Sequence, residues 1–278
     1  IYCSVTGFGQ TGPYAARPGY DGLIQAMGGV MSLTGVPDGE PMKVAVPICD
    51  LMAGMYATVG ILAAVRHQAE TGEGQFIDIG MLDTHIGWLA NQGMNYLATG
   101  ENPDRIGNMH PNILPYQVMP TSDGYIVLSV GNDPTFERFC KLAECEHLLE
   151  DERFQTNAAR VSNRDHVTSV LNEITNKKPS AWWLEELERE KIGCGPINNL
   201  DQVFDDPHVK AREMVVEMEH PAMGTKPMKL IANPIKLSKT PPTYRKAPPM
   251  LGQHTEDILK EAGLSDDEIT KLKDDGTV

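Results

Sequence analysis

The sequence predicts a mixed α/β protein, and three stretches carry that prediction. Ile1–Val5 is apolar and partly alternating, as in a buried strand, and runs into the glycine-rich turn Thr6–Pro13. Gln75–Ile79 is a second buried-strand signal, placed between two helical segments. Tyr116–Met119 and Tyr125–Val130 flank Thr121-Ser122-Asp123-Gly124, an Asp-Gly hairpin signal, and helical periods follow it.

In chain order, a helix is expected from about Tyr20 to Met27, stopping at Gly28-Gly29, and then a short extended piece at Val30–Leu33. Past the Pro37-Asp38-Gly39 turn, Val44–Asp50 reads as a strand-like run that feeds a long helix, Leu51 to about Glu70. Its small residues Ala53, Gly54, Ala57, Gly60 and Ala64 form a stripe that lets another backbone approach closely. Thr71-Gly72-Glu73-Gly74 closes it, and a helix from Met81 to about Thr99 follows the next strand. Pro, Asn and Gly then cluster through "GENPDRIGNMHPNILP", which marks a boundary near residue 100. After the hairpin, helices are expected at Pro134–Ala143, Arg164–Asn176 and Ser180–Lys191, with Ser180 as N-cap of the last. "MVVEMEH" reads as a strand, prolines 241, 242, 248 and 249 as a linker, and Ser265 with Glu268 as the capping box of a closing helix.

The chain has 278 residues, 38 acidic against 24 basic, a net charge of −14. That balance argues against a nucleic-acid groove or an anionic membrane surface, both of which need a basic footprint, and favours a small-molecule ligand. Leu51–Val65 reads as too short and too interrupted by glycine to span a bilayer. Five cysteines, an odd number without CxxC spacing, point to free thiols in a reducing compartment, hence the cytoplasm, with the mitochondrial matrix as the alternative in a eukaryote. Cys140 and Cys145 read as packing residues. No initiator Met is present, and Ile1 reads as a start inside a domain.

Zinc, P-loop and nucleophile-elbow motifs are absent, and the eight His residues show no ligand spacing, so no metal and no permanently bound cofactor is expected. Chemistry is left to carboxylates. Asp50, between an apolar run and an apolar helix, reads first as a helix cap; the same position also suits a nucleophile, held by the helix N–H groups and dipole. Gly7, Gly9 and Gly12 invite a phosphate-cradle reading, but without Rossmann spacing a bare turn accounts for them. Tyr20-Asp21 is compatible with an ordinary cap pair, and Arg105 and His110 with a solvated loop.

Six ordered blocks carry a resemblance: "GFGQTGPYAARPGYDGLIQAMGG", "VPICDLMAGMYATVGILAA", "GNMHPNILPYQ", "TSDGYIVLSVGN", "GPINNLDQVFDDPHV" and "PPMLGQHTEDILKEAGLSDDEI". Together they resemble the family III CoA-transferases, which include formyl-CoA and carnitine CoA-transferases. "RIGNMHPNILPYQ", "GPINN" and "EMEHP" look closest to the succinate and hydroxymethylglutarate branch.

The resemblance implies a Rossmann-like large α/β domain built from both chain ends, residues 1–99 and 201–278, a smaller α+β domain at 100–200, and two chains interlocked as a homodimer. Family members carry a further strand, helix and strand ahead of the position of Ile1. The substrates implied are an acyl-CoA and a small carboxylic acid, here a dicarboxylate, with no nucleic acid or membrane as partner. The family nucleophile falls on Asp50, which would carry acyl and then CoA through anhydride and thioester intermediates. Arg17, Gly19, Tyr20 and Asp21 would lie beside CoA, with Tyr20-Asp21 matching a Tyr-Glu pair and Arg17 facing phosphate. Gly107, Asn108 and His110 occupy the place of a glycine run that supplies oxyanion donors in formyl-CoA transferase. Arg105 is the candidate grip for a distal carboxylate. The alternatives are a 2-methylacyl-CoA racemase of the same fold, against which stands Tyr20 where that branch has His, and a CoA-binding fragment without turnover.

Overall fold

The computed structural model describes residues 1–278, which divide into two compact units, Ile1–Ile197 and Asn198–Val278. The chain is α/β, as expected.

In the first unit β1 (Tyr2–Thr6) and β2 (Phe76–Gly80) pair in parallel, with Ser4 opposite Asp78. Parallel partners need a long crossover. It is made by α1 (Asp21–Met27), α2 (Val30–Leu33) and α3 (Ile48–Thr71), the last ended by left-handed Gly72. α4 (Met81–Ile86) and α5 (Ala90–Thr99) follow β2. Around these elements lies a small core of Phe8, Ile24, Cys49, Ala53 and Met81.

A larger core belongs to a second layered assembly. β3 (Tyr116–Thr121) and β4 (Gly124–Ser129) form the expected two-residue hairpin about Ser122-Asp123, and β5 (Gly193–Pro196) adds antiparallel to β4. Helices α6 (Asp133–Leu142), α7 (Glu152–Gln155), α8 (Asn157–Ser162), α9 (Arg164–Thr175) and α10 (Ser180–Arg189) cover one face. Phe136, Phe139, Phe154, Leu171 and Trp183 fill the space between, together with Cys140 and Cys145, which are packing residues as expected. Arg160, fully buried, closes this core: it donates to the carbonyls of Leu114 and Phe154 and pairs with Asp133 at 2.8 Å.

The second unit contains α11 (Leu200–Asp205), α12 (Pro207–Ala211), an antiparallel ribbon of β6 (Val215–Met218) and β7 (Met228–Ile231), and α13 (Thr255–Glu261) and α14 (Asp266–Asp274). The Ser265–Glu268 capping box forms as expected.

Five local expectations are corrected. Val30–Leu33 is a helical turn, because left-handed Gly29 reverses the chain and the Ser32 and Thr34 hydroxyls close back on Gly29 and Val30 carbonyls. Val44–Pro47 is no strand: the Val44 N–H goes to the Gln25 side chain at 2.8 Å, and no ladder partner is left for it. The Met81–Thr99 helix breaks at Gly87–Leu89, where Ala90 takes a positive φ of 47° that a continuous helix cannot hold. Ser180 is the first residue inside α10; its N–H is capped instead by the Asp123 carboxylate of the hairpin turn at 2.8 Å, which also holds that carboxyl below its ordinary range. Finally, Leu51–Val65 is only the middle of a 24-residue helix, roughly 36 Å, long and apolar enough to cross a membrane by length and composition. Gly54 and Gly60 do not interrupt it. Its Ala53, Ala57 and Ala64 are buried, and Gly60 sits against Ile77 of β2, so one face packs inward as the small-residue stripe predicts.

Candidate active site

The first glycine turn is built for close backbone approach. A Cβ on Gly7 would fall 2.5 Å from the Gly19 Cα, so the two segments can touch only as glycines. Two of the turn's amides are already used: Gly9 N–H donates to Thr6 Oγ1 and Gln10 N–H to the Asp78 carboxylate, both at 2.9 Å. These two bonds accord with the bare-turn reading. Pinned to the turn through Gly19, the Arg17–Asp21 segment carries the Arg17 guanidinium 4.5 Å from the Tyr14 ring centroid, and Tyr20 stands 73% exposed at the start of α1.

Asp21 reaches from α1 to α3. Its Oδ1 accepts the Cys49 N–H at 2.9 Å and its Oδ2 accepts from Gln25 Nε2 at 2.8 Å. A helix start leaves its first N–H groups unpaired, and a carboxylate is a strong acceptor for them. Gln25, fully buried, spends its other end on Val44 N–H. One relay, Val44–Gln25–Asp21–Cys49, therefore fixes both the lead-in and the first turn of α3.

Cys49 is fully buried, with Sγ 3.3 Å from His85 Nδ1. Burial first, then the charge and hydrogen bond of Asp21 and the charge of Asp50, push the thiol up to about 12. Burial also pushes His85 below its ordinary value, against the pull of Asp21. The pair is neutral, and the thiol is not a nucleophile. His85 Nε2 is shielded and unpartnered, and a Cβ at Gly28 would overlap the ring edge.

Asp50 lies one residue beyond this clamp, at the third position of α3. The N-cap is Pro47, and no side chain caps from within, so the expected Asp50 cap is corrected: Asp21 does that work from outside. The Asp50 carboxylate is exposed, and no hydrogen bond or ion pair engages it. A carboxylate is left free at the positive end of a 24-residue helix whose first turn is held from two sides.

Arg105, Gly107, Asn108 and His110 lie on the loop after α5. Gly107 N–H donates to Gly35 O at 3.0 Å and Arg105 Nη2 to Gly39 O at 2.6 Å, so this loop folds onto the turn between α2 and α3. Gly107 and Asn108 are exposed. His110 is engaged locally, its Nδ1 accepting the Asn112 N–H and its ring stacked on Tyr116. None of the four hydrogen-bonds to Asp50 or Asp21. The sequence reading missed Gln25, His85 and the buried thiol of Cys49; an apolar helix with one Gln on its inner face was the available signal. No group of three or more His, Cys, Asp or Glu side chains gathers in a metal-holding arrangement.

Comparison with known proteins gives this geometry a context. The chain is 44% identical over 261 residues to a succinate–glutarate CoA-transferase of Agrobacterium fabrum, covering 94% of this chain and 65% of that protein. It is 38% identical over 267 residues to the human succinyl-CoA:glutarate CoA-transferase, covering 96% and 60%. The chain thus spans under two thirds of the length of these relatives. A CaiB/BaiF family crystal structure from Brucella suis superposes with a TM-score of 0.79 at 44% identity, over 94% of this chain and 67% of that one. The model of CoA-transferase family III matches residues 1–255, and the chain belongs to that family.

Proposed function

We propose that the protein containing this chain moves CoA from an acyl-CoA thioester to a dicarboxylic acid, with Asp50 as the nucleophile. The observation that carries this reading is the free Asp50 carboxylate on the clamped first turn of α3. The carboxylate attacks the thioester carbonyl, forming a mixed anhydride and expelling CoA thiolate. The thiolate attacks the Asp50 acyl carbon, giving an aspartyl-CoA thioester and the free donor acid. The acceptor carboxylate attacks that thioester, and the released thiolate then takes the acceptor's acyl group, regenerating Asp50. No proton is transferred at any step, so no general base is required; a neutral His85–Cys49 pair beneath the site fits this.

The names of the relatives support succinyl-CoA as donor and a glutarate-like acceptor. Arg17, Gly19 and Tyr20 remain the proposed CoA contacts; exposure of Arg17 and Tyr20 leaves them available. Asp21 serves CoA only through α3, since both its oxygens are engaged. Gly107 and Asn108 are proposed to face the substrate. An interlocked homodimer is carried over from the family resemblance, and the open side of α3, with Leu51, Met55, Val59 and Leu62 each more than half exposed, supports a covering chain. Tyr20, exposed and without a side-chain hydrogen bond, supports transfer over the racemase alternative, which needs a base at this position.

Incubation of the intact protein with succinyl-CoA, then hydroxylamine, should leave a hydroxamate on Asp50 alone, read by peptide mass spectrometry. Asp50→Asn should abolish both label and turnover. Label on another carboxylate, or retained transfer, would refute the assignment.

A further inference from the structure

A cavity of about 430 Å³ lies between the Ser32–Asp38 segment, the Pro103–Met109 loop and the start of α9, and two guanidinium groups line it, Arg105 and Arg164. Each is fastened to backbone: Arg105 Nη2 to Gly39 O at 2.6 Å, Arg164 Nη2 to Pro111 O at 2.8 Å. Beyond that they are under-satisfied. Arg105 Nε and Arg164 Nη1 are shielded from solvent with no acceptor, and neither arginine takes part in any of the ion pairs of the fold. Burial holds Arg164 below the ordinary arginine value, with Asp165 only opposing that shift. The acids in the same wall, Asp38, Asp104 and Asp165, are exposed to solvent, and none forms an ion pair with either arginine.

Two cations that share one cavity repel, and an unpaired shielded donor on a charged group is costly. Arg160 shows how this chain neutralises a structural arginine: Nε, Nη1 and Nη2 each have an acceptor, and an aspartate stands beside the group. Arg105 and Arg164 lack that treatment, and each keeps a shielded donor that an anion's oxygen could take.

We infer that Arg105 and Arg164 together grip one carboxylate in this cavity, the non-reacting end of the dicarboxylic acid. The acid's identity rests on the CoA-transfer reading above; the anion site rests on the two arginines alone. Arg164 is the new element, since no motif singles it out and it comes from the start of α9, 59 positions along the chain from Arg105.

Binding is best read in Asp50→Asn protein, where no transfer intervenes, by titrating glutarate, pentanoate and inorganic phosphate. Glutarate should bind roughly tenfold or more tightly than pentanoate, and Arg164→Gln or Arg105→Gln should each erase that difference. Asp104→Asn, which removes a competing charge from the wall, should tighten glutarate binding, a gain that misfolding cannot produce. In otherwise wild-type protein, Arg164→Gln should raise KM for glutarate with little change in kcat. Glutarate no tighter than pentanoate, or glutarate affinity within twofold in both arginine variants, would overturn the site. Phosphate binding that exceeds glutarate and disappears in Arg164→Gln would reassign it to a phosphate and overturn the carboxylate assignment. Retained transfer in Asp50→Asn would instead strike the nucleophile and leave these titrations standing.

Discussion

Replacing Asp21 by Asn distinguishes the carboxylate that holds the first turn of α3 from Asp50, the carboxylate proposed to react there. Asp21 accepts two hydrogen bonds from opposite directions, Cys49 N–H at 2.9 Å and Gln25 Nε2 at 2.8 Å, and an Asn offers one carbonyl oxygen and one NH2 to those two donors. One pairing becomes donor against donor. A hydrogen bond to a charged acceptor contributes about 1.5–3 kcal/mol, and loss of a helix-capping acceptor about 1 kcal/mol. Discounted for the partial exposure of Asp21, the expected cost of Asp21→Asn is about 2 kcal/mol, which for a unit of this size lowers Tm by roughly 4–8 °C. Asp50→Asn removes no hydrogen bond and should cost under about 0.5 kcal/mol, the share of a charge at a helix start. Calorimetry and urea titration of the two variants check both figures. Gln25→Leu should show strong coupling with Asp21→Asn, of about 1 kcal/mol or more, because the two side chains are direct partners. Equal stability loss in Asp21→Asn and Asp50→Asn, or additive behaviour with Gln25→Leu, would refute the relay.

Glycine substitutions should fall on both sides of neutral. Gly7→Ala must push the Gly7 and Gly19 backbones apart and is expected to cost about 2 kcal/mol or more, whereas Gly54→Ala, within α3 with open space at its Cβ, should stabilise by about 0.5–1 kcal/mol; urea unfolding of both reads the contrast. His85 is neutral and buried with a lowered pKa, so its contribution is present above 6.5 and lost as pH falls below that value toward the folded-state pKa; unfolding free energies from pH 7 to 5 should drop more steeply in the wild type than in His85→Gln. Native alkylation near pH 8 should modify partly exposed Cys3 well before Cys49, whose thiol is buried and pushed up to about 12; mass spectrometry of timed samples with iodoacetamide gives the order.

What the sequence made legible was local chemistry. Hairpins announced by Asp-Gly, capping boxes announced by Ser-x-x-Glu and helices with a small-residue stripe depend on neighbours a few positions apart, and the hairpin, the Ser265 box and the Ala53–Ala57–Ala64 face all appear in the fold. Val44–Pro47 and Ser180 failed for the opposite reason: their backbone donors are claimed by Gln25 and Asp123, residues 19 and 57 positions away, and no local period records such a claim.

Asp50 shows how a residue can stand out in a sequence for a physical reason that the fold does not use. Its place between an apolar run and an apolar helix made capping the natural reading, since a carboxylate there needs donors. The fold gives the helix its acceptor from α1 instead, and that exchange has a consequence for chemistry. A capping aspartate spends an oxygen on its helix and is oriented inward; Asp50, one residue past the amide that Asp21 takes, keeps both oxygens outside while retaining the favourable helix field. The work of holding the first turn falls to Asp21 and Gln25, neither of which has to react. Separating the acceptor that anchors from Asp50 leaves Asp50 both fixed in direction and free at its oxygens, which is what the proposed attack on a thioester carbonyl would require.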